Sequence, residues 1–554
     1  MYHLLAPSGG NHISLPGEVL PGRLTWGELA AAAAGVAEGL GRAGVGPGRV
    51  VAVEGHTTVE AVVAIFAAWR CGAAVTVLPP APAGDPAPFA RDLAWRRSRL
   101  DVGAAYLGDA TAAGLDPAAL AGVVPLDPAR VAAAARTGPA RPPAGDGAGA
   151  APSGPGDVAV YQATSGTTRG PRLVPVTWSM LLANLAGITE RLDLRRSDRF
   201  VSWMPLYHDM GLVLFLVLPA YLDATTALVP SARFATNPAL WAAVAGRERA
   251  TVTGMTTYGL ALLERGLRRE RAHDLSTLRS IVLGAEMIDL GLCDDVAATG
   301  RRHGLRPDVF ACAYGLAEGT LGVSVHPPAP SAAAEEPPSG PGGGWLRPLD
   351  RGCARLGRPL SSVEVRIVPA AGRAELGQGG AHGSGRGAGP VGEIEIRGPS
   401  VMDGYVGEGD PRRPGGWLPT GDLGYLSGGE VVVAGRCKDV LMAGGRTLAP
   451  DDVERVVGRL ACVRRGRVAA VADVGPAGEG FSVVAERARG TEPDARAVRV
   501  ALRRQLGVGP LRVSFVAPGD LPRTTSGKLR RGAARALLGD PPDRRAVLEQ
   551  PGRR

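Results

Sequence analysis

Two hydrophobic periodicities alternate along most of the chain. Short β-branched runs, among them Val158 to Tyr161 and Ser280 to Leu283, read as strands, whereas Leu181, Leu185, Ile188 and Leu192 recur at spacings of 4, 3 and 4 and share one face of a helix. Alternation of this kind predicts an α/β fold. The longest apolar run, Met210 to Leu222, is too short to span a bilayer and contains Pro219, so it reads as a buried helix. Residues 137–157, 327–348 and 370–390 break the pattern; each is rich in Gly, Pro, Ala or Ser and reads as a flexible surface loop.

The C-terminal part of the chain changes character. Strands are predicted at Glu430 to Ala434 and near Val440, and a helix opens at Pro450-Asp451-Asp452, where proline in the first turn beside two acids suits a helix N-terminus and its dipole. Strands near Val468 and Ser482, a helix from Ala495 and a last helix after Leu529 complete a small α+β unit. The expected organisation is a large domain over residues 1–434, a small one over 435–540 and a disordered tail at 541–554.

Composition narrows the partners. Hydrophobic residues make up 45% of the 554, ample for a core, and the formal charge is +9. That charge would suit nucleic acid, but the arginines are scattered among acids instead of forming blocks, so small polyanions are expected and nucleic acid is not. Cys71, Cys293, Cys312, Cys353, Cys437 and Cys462 show neither close pairing nor metal spacing, which predicts ordinary reduced thiols in the cytoplasm. The start of the chain has no basic stretch followed by an apolar run, so neither a signal peptide nor a transmembrane segment is expected. Of 62 basic residues only Lys438 and Lys528 are lysine. An ammonium is a compact point charge and a guanidinium a broad planar fork, so a tight reactive pocket that needs the first does not accept the second.

Candidate chemistry clusters in short segments. The strand ending at Ala163 runs into Thr164-Ser165-Gly166-Thr167-Thr168-Arg169-Gly170-Pro171-Arg172, whose hydroxyls, backbone N–H groups and two arginines suit the wrapping of phosphates. It lacks the Gly-Lys-Ser/Thr ending of the common nucleotide-binding loop. Downstream come Trp203-Met204-Pro205-Leu206-Tyr207-His208-Asp209-Met210-Gly211, Gly284-Ala285-Glu286, Tyr314-Gly315-Leu316-Ala317-Glu318 and Thr420-Gly421-Asp422. The two lysine segments, Gly435-Arg436-Cys437-Lys438-Asp439 and Thr524-Thr525-Ser526-Gly527-Lys528, close the series.

In this order the segments resemble the adenylate-forming superfamily of acyl-CoA synthetases, adenylation domains and luciferases, and within it the fatty acyl-AMP ligase branch. The resemblance implies a large N-terminal domain of layered α/β subdomains and a small mobile C-terminal α+β domain. It implies that Thr164, Ser165, Gly166, Thr167, Thr168, Arg169 and Arg172 hold phosphates, and that Tyr314 stacks on adenine. Gly284, Ala285, Glu286 and Gly315 would border the base, and Asp422 would accept both ribose hydroxyls, with Arg436 reaching the nucleotide from the second domain. Glu318 would be the Mg²⁺ ligand, since Mg²⁺ favours one or two carboxylates with phosphate oxygens and water. His208 would stand between the acyl pocket and ATP, and Lys528 would stabilise charge as a carboxylate attacks the α-phosphorus. Lys438 and Asp439 fall at the hinge on which the small domain turns. Met204, Met210, Thr256, Thr257 and Tyr258 are the acyl-pocket candidates.

The chain departs from that family chiefly at Arg172, where many relatives carry lysine, and at Arg169. The long connection from Val325 to Leu356 is rich in Pro, Gly, Ala and charge and buries little apolar area, which favours free CoA as acceptor. The expected function is therefore an AMP-forming acid–thiol ligase that uses ATP, Mg²⁺ and CoA on a hydrophobic carboxylic acid. Three alternatives stand beside it: a ligase that loads the phosphopantetheine of a separate acyl carrier protein, a thioester-forming enzyme fed with ready-made acyl-adenylate, and a non-catalytic nucleotide-binding module. The last would not explain Lys528.

Overall fold

In the computed structural model, residues 11–15, 23–82, 85–136, 154–164, 171–269, 273–328, 354–368, 391–439, 441–443, 446–448, 450–475, 478–523 and 529–538 are described. Most of the three predicted surface loops, and the whole predicted tail, lie outside these residues.

Two large sheets carry the first part of the chain. One runs Val124–Leu126, Val102–Tyr106, Val50–Glu54, Ala74–Leu78, Val158–Ala163 and Leu173–Thr177, parallel except for the last strand. The other has nine strands, with a parallel centre that includes Phe310–Gly315, Ser280–Leu283, Val252–Met255 and Arg199–Ser202 and an antiparallel strand pair at either edge. The predicted strand from Ser280 to Leu283 is found as such, and the α/β expectation holds. Leu181, Leu185, Ile188 and Leu192 all point into the core from the helix Trp178–Leu192. Thr177 opens that helix by accepting from the Met180 N–H, and Asp193 ends it in the left-handed region at φ 47°.

The run from Met210 to Leu222 is buried, but it is not one α-helix. Met210–Val217 is a π-helix that runs directly into the short α-helix Leu218–Leu222, and Pro219, which has no N–H to give to the ladder, falls at the change from one to the other. The chain enters this element through a tight turn. A Cβ on Gly211 would lie 2.0 Å from the Pro205 carbonyl oxygen, so no larger residue fits.

A four-stranded antiparallel sheet, Glu364–Val368, Gly392–Arg397, Leu418–Ser427 and Glu430–Arg436, leads to the small unit. There Val463–Gly475 pairs antiparallel with Gly478–Arg487, which pairs parallel with Val513–Val516 across the helix Ala495–Leu506. The helix Pro450–Val457 begins where the proline and two acids predict. One core extends from Ile13 to Val431, and separate cores run from Leu441 to Val508 and from Ala469 to Leu538. The strand Glu430–Arg436 crosses the expected boundary after residue 434. Cys71, Cys293 and Cys312 are buried thiols, and burial pushes Cys312 up to about 12. Among the described residues no helix is long and apolar enough to cross a membrane.

Candidate active site

A cavity of about 1470 Å³ opens where the two large sheets, the four-stranded sheet and the small unit meet. The strands Val158–Ala163 and Leu173–Thr177 form a hairpin whose Ala163 and Arg172 end sits on its wall. Thr164 N donates to the Arg172 carbonyl at 2.8 Å, and Arg172 N donates to Thr164 Oγ1 at 3.1 Å. Ser165, Gly166, Thr167, Thr168 and Arg169 lie outside the described residues. Gln162, which no motif marked, ties this hairpin to the His208 turn by donating to the Tyr207 carbonyl at 3.1 Å.

Arg172 is held sideways. Its guanidinium carbon is 3.7 Å from the Tyr405 ring centroid, and its nitrogens lie 3.8 Å from both Glu318 and Glu408. Tyr405 in turn donates its O–H to Glu318 Oε1 at 2.7 Å. Burial, reinforced by the Glu318 charge, pushes the Tyr405 phenol well above its usual ionisation range. Tyr405 had no motif of its own, and its link to Glu318 spans 87 residues.

Tyr314, Asp422 and Arg436 form one chain of contacts. Tyr314 is buried and donates its O–H to Asp422 Oδ2 at 2.7 Å, while Arg436 Nε is 3.1 Å from Asp422 Oδ1. Asp422 and Arg436 are direct partners in the antiparallel ladder, which explains the pairing. Desolvation, with the Asp422 charge beside it, pushes the Tyr314 phenol well up, and the same charge holds Arg436 protonated. Arg436, expected to reach in from the second domain, stands instead at the end of the four-stranded sheet.

Gly284, Ala285, Glu286 and Gly315 all line the cavity. Ala285 sits at φ 67°, an unusual left-handed conformation for a residue with a side chain. A Cβ on Gly315 would lie 2.0 Å from the Leu321 carbonyl oxygen, at the irregularity between its strand and the next. Glu286 Oε2 accepts from Tyr258 N at 3.2 Å. His208 Nδ1 is 2.7 Å from Asp209 Oδ1, directly before the π-helix, and Thr257, Tyr258 and Met210 line the same space. Met204 and Thr256, expected in the acyl pocket, are instead buried outside the lining: Thr256 Oγ1 accepts from Gly259 N, and Met204 N donates to Ser202 Oγ. Both fall where the strand-to-helix turns pack inward.

The small unit closes the cavity. Lys528 and Thr524 to Gly527 lie outside the described residues, but Arg523 and Leu529, which flank them, are antiparallel bridge partners and both line the cavity. Lys438 is exposed, and Asp439 lies 3.2 Å from Arg531, which also binds Asp451 and Glu454 at 2.8 Å.

Two layered sheets, a third sheet at the joint and a small unit with its own core, all facing one cavity, define the architecture of an adenylate-forming ligase. The chain belongs to the AMP-binding enzyme family, whose model matches residues 14–406. It is 33% identical over 541 residues to a putative ligase of Mycobacterium tuberculosis, covering 94% of this chain and 95% of that one. A putative acyl-CoA synthetase of Caulobacter vibrioides is 34% identical over 401 residues, 69% of this chain and 68% of the relative. A solved structure from work on fatty acyl-adenylate ligases of E. coli and L. pneumophila superposes with a TM-score of 0.76 at 27% identity, covering 97% and 96% of the two chains.

Proposed function

We propose that the protein is an AMP-forming acid–thiol ligase that activates a hydrophobic carboxylic acid with ATP and passes the acyl group to CoA. The observation that carries this reading is the convergence on one cavity of the Tyr314–Asp422–Arg436 chain, the Ala163 and Arg172 end of the hairpin and both flanks of the Lys528 segment. The apolar side chains of Ile188, Leu192, Leu321, Val325 and Leu356 in the cavity lining support a hydrophobic acid. The acid's carboxylate attacks the α-phosphorus of ATP, pyrophosphate leaves, and the acyl-adenylate is then attacked by the thiol with release of AMP. Tyr314 and Asp422 would hold adenine and ribose, and His208 would border the carboxylate.

Glu318, one of several carboxylates on the cavity wall, would hold Mg²⁺, an ion that takes one or two carboxylates together with phosphate oxygens and water. Bound there, the ion would neutralise phosphate charge. Arg172 lies 3.8 Å from that carboxylate. Replacing it by lysine keeps a charge but loses the stack on Tyr405, leaving Glu318 less encumbered. Arg172→Lys is expected to raise acid-dependent pyrophosphate exchange into ATP by about threefold, and a fall would mean that the stacked guanidinium orients the hairpin productively.

The second reading, an acyl-AMP ligase that loads a carrier protein, draws on the likeness to fatty acyl-adenylate ligases. Incubation with ATP, Mg²⁺ and a library of acids separates the two when CoA and a phosphopantetheinylated carrier are supplied in parallel. Mass spectrometry is expected to find acyl-CoA with CoA. Thioester formed on the carrier alone would favour the second reading. Either reaction suits a reducing cytoplasm.

A further inference from the structure

The small unit meets the large one through three arginines on one side of the cavity. Arg465, on the strand Val463–Gly475, is 3.5 Å from Asp289 and also pairs with Asp295. Asp289 caps the helix Leu290–Gly300, and Asp295 lies within it. Arg467, on the same strand, and Arg523 set their guanidinium carbons 5.1 and 5.9 Å from the Tyr258 ring centroid. Tyr258 belongs to the adjoining helix Thr257–Arg269. These contacts accompany a pose in which Arg523 and Leu529 both line the cavity.

We propose that Arg465 is a positioning residue: by bridging Asp289 and Asp295 it holds the small unit in this pose and so favours adenylate formation over the thioester step. The inference rests on the acid–thiol ligase reading above. Ion pairs as exposed as this one, with Arg465 45% and Asp295 41% accessible, add little to the stability of a whole protein. A unit that turns between two poses of similar free energy is different. There a small differential contact shifts the populations several-fold, because the ligand-like term acts on the difference between poses rather than on folding. The site is also bivalent, so movement of the small unit away from the helix must separate Arg465 from two carboxylates at once.

A charge swap tests this. Arg465→Glu sets a third carboxylate against Asp289 and Asp295, and adding Asp295→Arg restores opposite charges. Asp295 is the partner to exchange because loss of Asp289 would uncap its helix. Three quantities are read on the full chain: pyrophosphate exchange, thioester formation from supplied acyl-adenylate and CoA, and the distance distribution between fluorophores on the two units. Arg465→Glu is expected to lower exchange about fivefold, leave the thioester step at least as fast, and shift the distances; the double variant is expected to recover most of the exchange. Asp295→Arg alone should resemble Arg465→Glu. Equal loss in both half-reactions, unchanged exchange, or no recovery in the swap would overturn the proposal. If the wild-type protein exchanges pyrophosphate with no acid, the ligase reading fails, and the distance distributions decide the positioning role separately. A shift on reversal that the swap restores upholds that role, and an unmoved distribution ends it.

Discussion

Lys528→Ala is expected to lower adenylate formation by about two orders of magnitude or more, while thioester formation from supplied acyl-adenylate stays within about twofold of wild type. Two anions must approach during the first half-reaction, the acid's carboxylate and the α-phosphate, and negative charge grows on the departing pyrophosphate. A preorganised ammonium acts on that charge and has little to do once the adenylate exists. Lys528 itself lies outside the described residues, but Arg523 and Leu529, which flank its segment, are bridge partners and line the cavity. Lys528→Arg tests the shape of the cation separately from its charge. In a chain where 62 basic residues include two lysines, arginine is evidently acceptable almost everywhere else. Lys528→Arg is therefore expected to lose about tenfold or more in the same exchange assay, because a planar fork does not replace a point charge in a tight pocket. Wild-type exchange rates in either variant would remove Lys528 from the chemistry.

What the sequence disclosed followed from local contrast. The strands Val158–Ala163 and Ser280–Leu283 and the helix Ala495–Leu506 stood out because polar neighbours frame their apolar positions. The run from Met210 stood out as a buried helix, but its π form over Met210–Val217 did not, since every residue there is apolar or glycine and buried, and a uniform run carries no phase from which to read a period. Val513–Val516 escaped notice for another reason: it is short, half-buried and enters the sheet as a parallel strand, so it needs no alternation. At the cavity, motifs marked Tyr314, Asp422 and Glu318, which the fold brings to one wall, but no motif marked the partners Tyr405 and Arg465. Tyr405 meets Glu318 across 87 residues, and Arg465 meets Asp295 across 170, separations at which one chain offers no pattern to compare. Met204 and Thr256 erred in the opposite direction, because adjacency to a motif says nothing about which way a side chain turns.

Asp422→Ala is expected to lower kcat/KM for ATP by about a hundredfold, a loss of roughly 2.7 kcal/mol at 1.36 kcal/mol per tenfold. A carboxylate accepts up to about four hydrogen bonds, so its engagement by Tyr314 and Arg436 leaves room in principle for ribose hydroxyls as well. Removing it does more than delete a ribose contact. The buried Tyr314 O–H loses the acceptor that fixes its ring, and Arg436 loses the charge it faces across the ladder. The first of these leaves the buried Tyr314 O–H with Thr420 as its remaining side-chain partner, and it loosens the aromatic face on which adenine would stack. Asp422→Asn separates the two effects. Its amide oxygen still accepts from Tyr314, but the negative charge is gone, so a drop of about tenfold is expected, with thermal stability closer to wild type than in Asp422→Ala. Tyr314→Phe supplies the complementary deletion. If the tyrosine acts through its ring, Tyr314→Phe keeps most of the ATP affinity, and the double variant with Asp422→Ala loses less than the two single losses combined. Calorimetric titration with AMP reads these changes without turnover. Undiminished AMP binding in Asp422→Ala would show that the Tyr314–Asp422–Arg436 chain braces the joint between the sheets and takes no part in holding the nucleotide.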